Sequence, residues 1–445
     1  IIGAGCGVRG KQMTDWEIGL ICVIAMFVLM VLRMHIGVTM GLTAFVGIAL
    51  LTNLDSAYGK LAHTAFSQSS TYMMSVIPLY MLMGELAFLS GLSQDAYKTV
   101  NKWLGHLPGG LAMATIGACA AFAAVQGSST AGSVIMVSIA YPEMKSRKYA
   151  NSMALGCIAA GGTMGILIPP SAAFVLYGII TEQSIGKLFT AGIIPGLLLT
   201  VLFWIFIYVW CRRNPKLGPP GLGVSWRERL ISVKDLWSVV VLFGLVMGGI
   251  YLGIFNVTEA AGVGVVAAFL IVLIRKRLSK EGIKRAILNT LRTTGMIFMM
   301  VIGAMLFNYL LSLSGLTTAL ADFCTKLPVP PVGIIIAIVL LYAILGALMD
   351  DWAMMLIVVP AVLPTVLALG FDPIWFGVIT VIMMEMGMIL PPVGFNVFVM
   401  AGMVKEVPMT EVYSGIWPFA LAMAILVGFI IAFPEIALYL PRVMM

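Results

Sequence analysis

The sequence predicts an all-α polytopic membrane protein of inverted repeats, with two re-entrant helical hairpins and two broken transmembrane helices. Three observations predict it. Of 445 residues, 61% are hydrophobic and 10% charged, with mean hydropathy +1.06, whereas a soluble domain carries about 25% charged residues. Polar or helix-breaking residues interrupt the long apolar stretches at four places. Those interruptions recur in the same order at near-constant spacing. A chain this apolar cannot clothe itself in a hydrated surface, which excludes a soluble enzyme, a nucleic-acid binder and a disordered protein. Its net charge of +7, from 26 Lys and Arg against 19 Asp and Glu, reads as basic loops on one side of a membrane.

The Gly-rich, polar start, Ile1–Thr14, does not read as a signal peptide. It reads as a processed end or the tail of an upstream segment. A crossing needs roughly 20 apolar residues. Apolar runs place spans near 17–33, 36–52, 76–92, 149–182, 186–211, 237–254, 258–274, 295–313, 375–404 and 411–438. Segments 55–73 and 93–106 are more polar and suit helices along the membrane surface or ordinary loops. Stretches 109–143 and 332–366 are long enough for two short helices each, and are interrupted by Gln126-Gly127-Ser128-Ser129-Thr130 and by Asp350-Asp351. A re-entrant hairpin tolerates such a tip, because the tip lies in protein or in a water-filled cavity. Spans 149–182 and 375–404 carry Ile168-Pro169-Pro170-Ser171 and Leu390-Pro391-Pro392-Val393-Gly394. A double proline removes two backbone donors and turns the preceding residue out of the helix. Each of these spans is thus either kinked or split into two half-helices.

The repeat favours the split. A shift of 222 takes Pro169-Pro170 to Pro391-Pro392, Gly165 to Gly387, Pro142 to Pro364, and Ser128-Ser129 to Asp350-Asp351. Gly192-Ile193 recurs as Gly415-Ile416 at 223, Leu89-Ser90-Gly91-Leu92 as Leu313-Ser314-Gly315-Leu316 at 224, and Leu107-Pro108 as Leu327-Pro328 at 220. The chain divides into N-terminal scaffold spans (1–75), a first repeat (76–211), basic loops with further scaffold spans (212–294) and a second repeat (295–445). The basic loops Arg212–Lys234 and Arg275–Arg292 are separated by an even number of spans, so both are cytoplasmic by the positive-inside rule. Counting from them, the first hairpin enters from the cytoplasm, flanked by Lys98, Lys102, Lys145, Arg147 and Lys148. The second enters from outside, flanked by Lys326 near Asp322 and Asp372. The halves are inverted.

Inverted repeats with broken helices are recurring parts of secondary transporters. A half-helix N-terminus attracts an anionic group; an unwound link offers carbonyls to Na⁺. One site gathers Ser128, Ser129 and Thr130 with Gly165 to Ser171. The other gathers Gly346 to Asp351 with Gly387 to Gly394. The substrate is expected between them, facing Ser129, Thr130, Ser171, Asp351 and Asn396. Asp350 and Asp351 either supply charge near a cation or cap the following half-helix. Asn396 either bonds substrate or caps free carbonyls. Glu385, a carboxylate within an apolar run, either bonds unwound backbone or couples an ion or proton. Glu85 reads as a packing or interhelical group. Six separate cysteines, none in a CxxC pair, and three scattered histidines point to no disulfide, metal or catalytic set.

The motifs Gly127-Ser-Ser-Thr-Ala-Gly, Pro142-Glu-Met, Ile168-Pro-Pro-Ser, Ser184-Ile-Gly, Leu188-Phe-Thr-Ala-Gly-Ile-Ile-Pro-Gly, Asp372-Pro-Ile-Trp-Phe-Gly, Pro391-Pro-Val-Gly-Phe-Asn and Leu440-Pro441 resemble the large membrane subunit of TRAP (tripartite ATP-independent periplasmic) transporters. The resemblance runs from about residue 15 to the end. It implies a Na⁺-driven elevator in the bacterial inner membrane, working with a small membrane subunit and a periplasmic substrate-binding protein. It implies a small organic anion, a carboxylate or sulfonate, as substrate and no organic cofactor. Matched by motif, the first Na⁺ site falls on Ser128, Ser129, Gly165, Ile168 and Pro170. The second falls on Gly346, Gly387, Leu390 and Val393. Most would act through backbone carbonyls. The family often has a hydroxyl residue where this chain has Leu390, so that side-chain ligand is lost while the carbonyl remains. A stand-alone hairpin carrier of dicarboxylates or citrate is the alternative. A membrane-embedded enzyme would need a nucleophile and base at mid-depth, and no histidine lies in either hairpin or broken span.

Overall fold

The structure is a computed structural model that describes residues 14–127, 129–221 and 223–444, with the backbone alone at 124–126. The expectation of a processed end at residues 1–13, and the candidate ligand Ser128, lie outside the described residues. Among the described residues the chain is helical and forms no strand. Three helices open it: α1 (Asp15–Val31), α2 (Ile36–Leu51) and α3 (Leu54–Ser70). Then come α4 (Val76–Leu89), α5 (Leu92–Leu104), and an antiparallel pair, α6 (Gly110–Gln126) and α7 (Ser129–Ser146). A bent trio follows, α8 (Asn151–Gly162), α9 (Met164–Leu167) and α10 (Ala172–Thr181), leading into the long α11 (Ile185–Arg213). The middle holds α12 (Trp226–Val233), α13 (Trp237–Tyr251), α14 (Val257–Ile274) and α15 (Lys280–Leu313). The last third is α16 (Leu316–Lys326), the pair α17 (Pro331–Gly346) and α18 (Asp351–Ala368), the broken span α19 (Pro373–Gly387) and α20 (Phe395–Met403), then α21 (Met409–Ala432) and α22 (Glu435–Met444).

Local chemistry sets the boundaries. Asn256 and Glu259 form a reciprocal capping box at the start of α14. Asp372 accepts from the N–H groups of Ile374 and Trp375, with Pro373 at the first helical position of α19. Two boundaries differ from the sequence reading. The span expected at 295–313 belongs to a 34-residue helix starting at Lys280. There Ser279 caps the N–H of Gly282, and the basic stretch behind it is made of good helix formers. The span expected at 411–438 breaks at Phe433, which leaves the helical region (φ −131°, ψ 81°) because Pro434 follows it. The polar segments near 55–73 and 93–106 are helices, α3 and α5.

Among the described residues, seven helices are long and apolar enough to cross a membrane, eight if the pair Asn151–Leu167 and Ala172–Thr181, bent by 45°, counts as one span. This is a multi-pass membrane protein. The α2 and Pro373–Gly387 segments are apolar but shorter. The element starts keep the spacing seen in the sequence: Ser129 and Asp351 begin α7 and α18, and Asn151 and Pro373 begin α8 and α19, each 222 apart.

Polar contacts sort the helix ends into two faces. On one face, Arg275 at the end of α14 pairs with Asp95 on α5 and donates to the Ser90 carbonyl and to Ser238. The connection after α11 lies against the mouth of the α6–α7 pair, with Gly109 N donating to Gly218 O and the Tyr149 hydroxyl to Pro219 O. Both basic loops therefore share this face with both ends of α6–α7. Lys145 at the foot of α7 pairs with Glu406, which follows α20, so α20 ends here too. On the opposite face the Tyr177 hydroxyl, near the end of α10, donates to the Pro373 carbonyl at the start of α19 (2.7 Å). The two bent spans thus run antiparallel.

Candidate functional site

Two hairpin tips meet two helix breaks. At the first meeting point α6 ends on Gly127, in the left-handed region at φ +64°. That conformation suits glycine and turns the chain at once into α7. The tip lies on the first break: a Cβ on Gly127 would sit 3.5 Å from both the Pro170 carbonyl oxygen and the Ala172 nitrogen. The break has the form its prolines demand. Ile168 is extended (φ −85°, ψ 122°), and Ser171 (φ −129°, ψ 129°) caps α10 with its side-chain oxygen 3.4 Å from Phe174 N. Between this tip and the bent span lies a void of about 10 Å³ lined by Cys119, Phe122, Ala123, Gly132, Gly161, Gly162 and Gly165. That is room for a single water-sized particle.

At the second meeting point α17 ends at Gly346, and Asp350 caps α18 by accepting from Ala353 N (2.7 Å). Gly346 and Gly387 touch backbone to backbone: a Cβ on Gly387 would sit 2.6 Å from Gly346 Cα. Only glycine permits that approach. Val393 N donates to the Ala347 carbonyl (3.3 Å), and Asn396 N to the Met388 carbonyl (3.1 Å), so the unwound link is stitched to the tip and to its own half-helix.

Each expected residue other than Ser128 has a definite place. Ser129, Gly165, Ile168 and Pro170 are buried about the first break, and Thr130 is half-buried one residue into α7. Gly346, Gly387, Leu390 and Val393 gather at the second break. Asp350 acts as a cap, while Asp351 accepts from Trp352 N (3.0 Å) and is buried. Ser171 is also spent as a cap. Asn396 is fully buried with neither side-chain polar atom hydrogen-bonded. Glu85 makes the interhelical bond expected of it, to Asn289 (3.2 Å).

Two features escaped sequence reasoning. The Tyr413 hydroxyl on α21 donates to the carbonyls of Pro392 (3.2 Å) and Val393 (2.9 Å), so one lone pair of the Val393 oxygen is already used. And Glu385 bonds not unwound backbone but the hydroxyl of Ser129, tying the second broken span to the head of α7. Its other carboxyl oxygen has no hydrogen-bond partner. The sequence signals were a tyrosine near the second break and a carboxylate in an apolar run; neither names its partner.

Outside the membrane-spanning segments, the Lys145 ammonium holds the Glu406 carboxyl below its usual range, through a hydrogen bond first and charge second. Lys145 is raised in turn.

Residues 23–436 match the family described as the tripartite ATP-independent periplasmic transporter, DctM component. The chain is 34% identical over 395 residues to the C4-dicarboxylate TRAP transporter large permease protein DctM of Pseudomonas aeruginosa, covering 88% of this chain and 91% of that one. It is 32% identical over 434 residues to the protein of the same name from Rhodobacter capsulatus, covering 94% and 97%. Other relatives carry isethionate, sialic acid or ectoine in their names. Among solved structures the fold resembles the Alcanivorax borkumensis YdaH transporter, with TM-score 0.65 at 16% identity over 86% of this chain and 90% of that one. These relatives are transporter permeases and not enzymes. The chain belongs to the DctM family and is a large permease subunit of a TRAP transporter.

Proposed function

We propose that this subunit imports a small organic anion, a carboxylate or sulfonate, coupled to Na⁺ by an elevator mechanism. The observation that carries the reading is the pairing of each hairpin tip with a helix break. Such breaks turn backbone carbonyls out of their helices, and carbonyls are the ligands Na⁺ takes at unwound links. One Na⁺ would sit between Ser128, Ser129, Gly165, Ile168 and Pro170. The other would sit between Gly346, Gly387, Leu390 and Val393. The substrate would lie between the two breaks, near Thr130, Asp351 and Asn396. The unbonded side chain of Asn396, buried in protein, supports a role for it in holding a polar ligand.

In this reading the α6–α7 and α17–α18 pairs are re-entrant, and with the two broken spans they form the moving body. Residues 1–75 and 212–294 belong to the scaffold, and the face bearing the basic loops is cytoplasmic. A small membrane subunit and a periplasmic binding protein complete the system in the bacterial inner membrane. The names of the relatives support the substrate class without choosing within it. The test is reconstitution with the small subunit into liposomes under an inward Na⁺ gradient, supplying a C4-dicarboxylate, sialic acid, isethionate and ectoine in turn, each with its binding protein. Uptake of one of them that collapses when Na⁺ is equalised is the expected result. Uptake indifferent to Na⁺ would remove the coupling ion from this account, and uptake without any binding protein would favour a stand-alone carrier.

A further inference from the structure

The helix α15 has 34 residues, so it is about 51 Å long, whereas the hydrocarbon core of a bilayer is about 30 Å thick. Its first turns, which carry its charges and lie on the face of the basic loops, project beyond the hydrocarbon. The two sides of this overhang differ. The inner side is taken up by α4: a Cβ on Gly282 would sit 2.6 Å from Leu89 Cδ1, Asn289 donates to Glu85 (3.2 Å), and Ala286 and Thr290 are buried. On the outer side Lys280, Lys284, Ile287 and Leu291 follow one another at helical spacing, and all four are exposed. Ile287 is 45% and Leu291 61% exposed. Lys280, Lys284, Ile283, Ile287 and Leu288 line an open groove of about 390 Å³. The charge around it is one-sided. Lys276, Arg277, Lys280, Lys284, Arg285 and Arg292 stand against one acid of the same segment, Glu281. Arg285 has Glu85 within electrostatic reach. Neither groove lysine forms an ion pair among the described residues.

A rim of ammonium groups above an apolar wall is complementary to one chemistry, an anionic headgroup joined to acyl chains. A soluble anion would use the lysines and leave Ile287 and Leu291 in water. An apolar helix would cover the wall and leave the two ammonium groups without a counter-charge. An anionic phospholipid satisfies both, and basic clusters beside a span are where such lipids are held. It is also the neighbour that the rest of α15 already has. We propose that the outer side of the α15 overhang is a binding site for an anionic phospholipid of the adjoining leaflet. Lys280 and Lys284 hold its phosphate, and Ile283, Ile287, Leu288 and Leu291 take the upper part of its acyl chains. Further along, α15 packs on α2, where Gly303 and Gly37 meet backbone to backbone. A lipid held at the overhang therefore fixes the depth of a helix on which the N-terminal helices are built. The site is separate from the ion and substrate sites proposed above and does not depend on them.

Native mass spectrometry of the purified subunit tests it, with phosphatidylglycerol and phosphatidylcholine of the same acyl chains titrated separately. The wild type is expected to hold phosphatidylglycerol roughly tenfold more tightly. The double variant Lys280→Gln, Lys284→Gln should lose that preference. The double variant Lys216→Gln, Lys234→Gln removes the same charge from exposed positions in the other basic loop and should keep it. Ile287→Ser with Leu291→Ser should weaken the binding of both lipids. Equal affinity of the wild type for the two lipids overturns the proposal, and so does an equal loss in the two lysine pairs. Full displacement of phosphatidylglycerol by inorganic phosphate would reduce the site to one for a soluble anion, and displacement by the small membrane subunit would give this face to a protein; either result overturns it. Should the variant of Lys280 and Lys284 fail to fold, the wild type decides alone, since a preference carried by exposed lysines must shrink in high salt.

Discussion

The two tip-and-break pairs share a sequence period but not an environment. The first is sealed. Every residue from Met153 to Gly178 is buried, so the double proline of the first break is wrapped on all sides. The second is open along one flank. Burial runs from Ile374 to Ile389 and then stops, and Val393 is 44% exposed. The partner hairpins differ likewise: α6 is buried from Gly110 to Cys119, whereas α17 turns Ile336, Leu340 and Ile344 outward. Charge is also divided unequally. The two buried acids among the described residues, Asp351 and Glu385, both belong to the second half. At the shift of 222 their counterparts are Ser129 and Thr163. The repeat thus supplies one frame twice; side chains enclose the first copy and leave the second open along one flank, while the second half supplies both buried acids, one of which, Glu385, reaches the first tip. If the two breaks bind ions as proposed, such a difference would let two pseudo-equivalent sites exchange them with different partners or at different times.

The largest expected effect comes from the backbone contact between Gly346 and Gly387 in the second pair. In Gly387→Val the new Cβ meets the Gly346 backbone at 2.6 Å, with no flexible side chain to give way. The cost should reach or exceed the upper end of the about 1–3 kcal/mol typical of overpacking. Gly127→Ala at the first tip meets its neighbours at an ordinary 3.5 Å and suffers only from the left-handed backbone, about 1–2 kcal/mol. Thermal unfolding in detergent should rank Gly387→Val well below Gly127→Ala. Na⁺-driven uptake should fall at least tenfold more in the former. The reverse order would mean that the sealed first pair, not the open second one, is the more tightly constrained.

Next in size is the hydroxyl that steadies the open break. Tyr413→Phe removes one hydroxyl donor shared between the Pro392 and Val393 carbonyls, at a net cost of about 1 kcal/mol. The first break has no such strut from the corresponding helix, where Thr190 bonds only carbonyls of its own helix, Gly186 and Lys187. Tyr413→Phe should weaken the Na⁺ dependence of uptake, while Thr190→Val leaves it near wild type. Equal effects would show that burial alone holds both breaks.

Much of this frame was legible because lipid leaves few choices. Backbone in hydrocarbon must pair internally, so double prolines and polar tips stand out against apolar runs, and their 222-residue recurrence placed each tip with its break. What was not legible depends on tertiary packing. The Ser129–Glu385 bond joins residues 256 apart across the two halves, and no local pattern announces it. Nor does sequence say that Pro391 and Pro392 are exposed while Pro169 and Pro170 are buried, since the motifs are alike. The basic start of α15 hid its helix behind charge, although Ser279 carried the cap that begins it.

The smallest expected effect tests whether the halves are held together at their edge as well as at their centre. Lys145, at the foot of the first hairpin, pairs with Glu406 beyond the second broken span, and both are exposed. Exposed pairs contribute little and are screened by salt. The sign is nonetheless definite. Glu406 is held below its usual range, so its contribution is present above the unfolded carboxyl pKa and is lost as pH falls through the lower folded value. Lys145 is raised, so its share is present below the unfolded ammonium pKa and is lost as pH rises through the higher folded value. Between those limits the wild type should unfold at a slightly higher temperature than Glu406→Gln. The gap should close in acid, and it should shrink in high salt at neutral pH. A gap that persists in acid would mean that Glu406 acts through packing. A gap at neutral pH larger than that caused by Tyr413→Phe would mean that this exposed pair contributes more than the hydroxyl that steadies the second break.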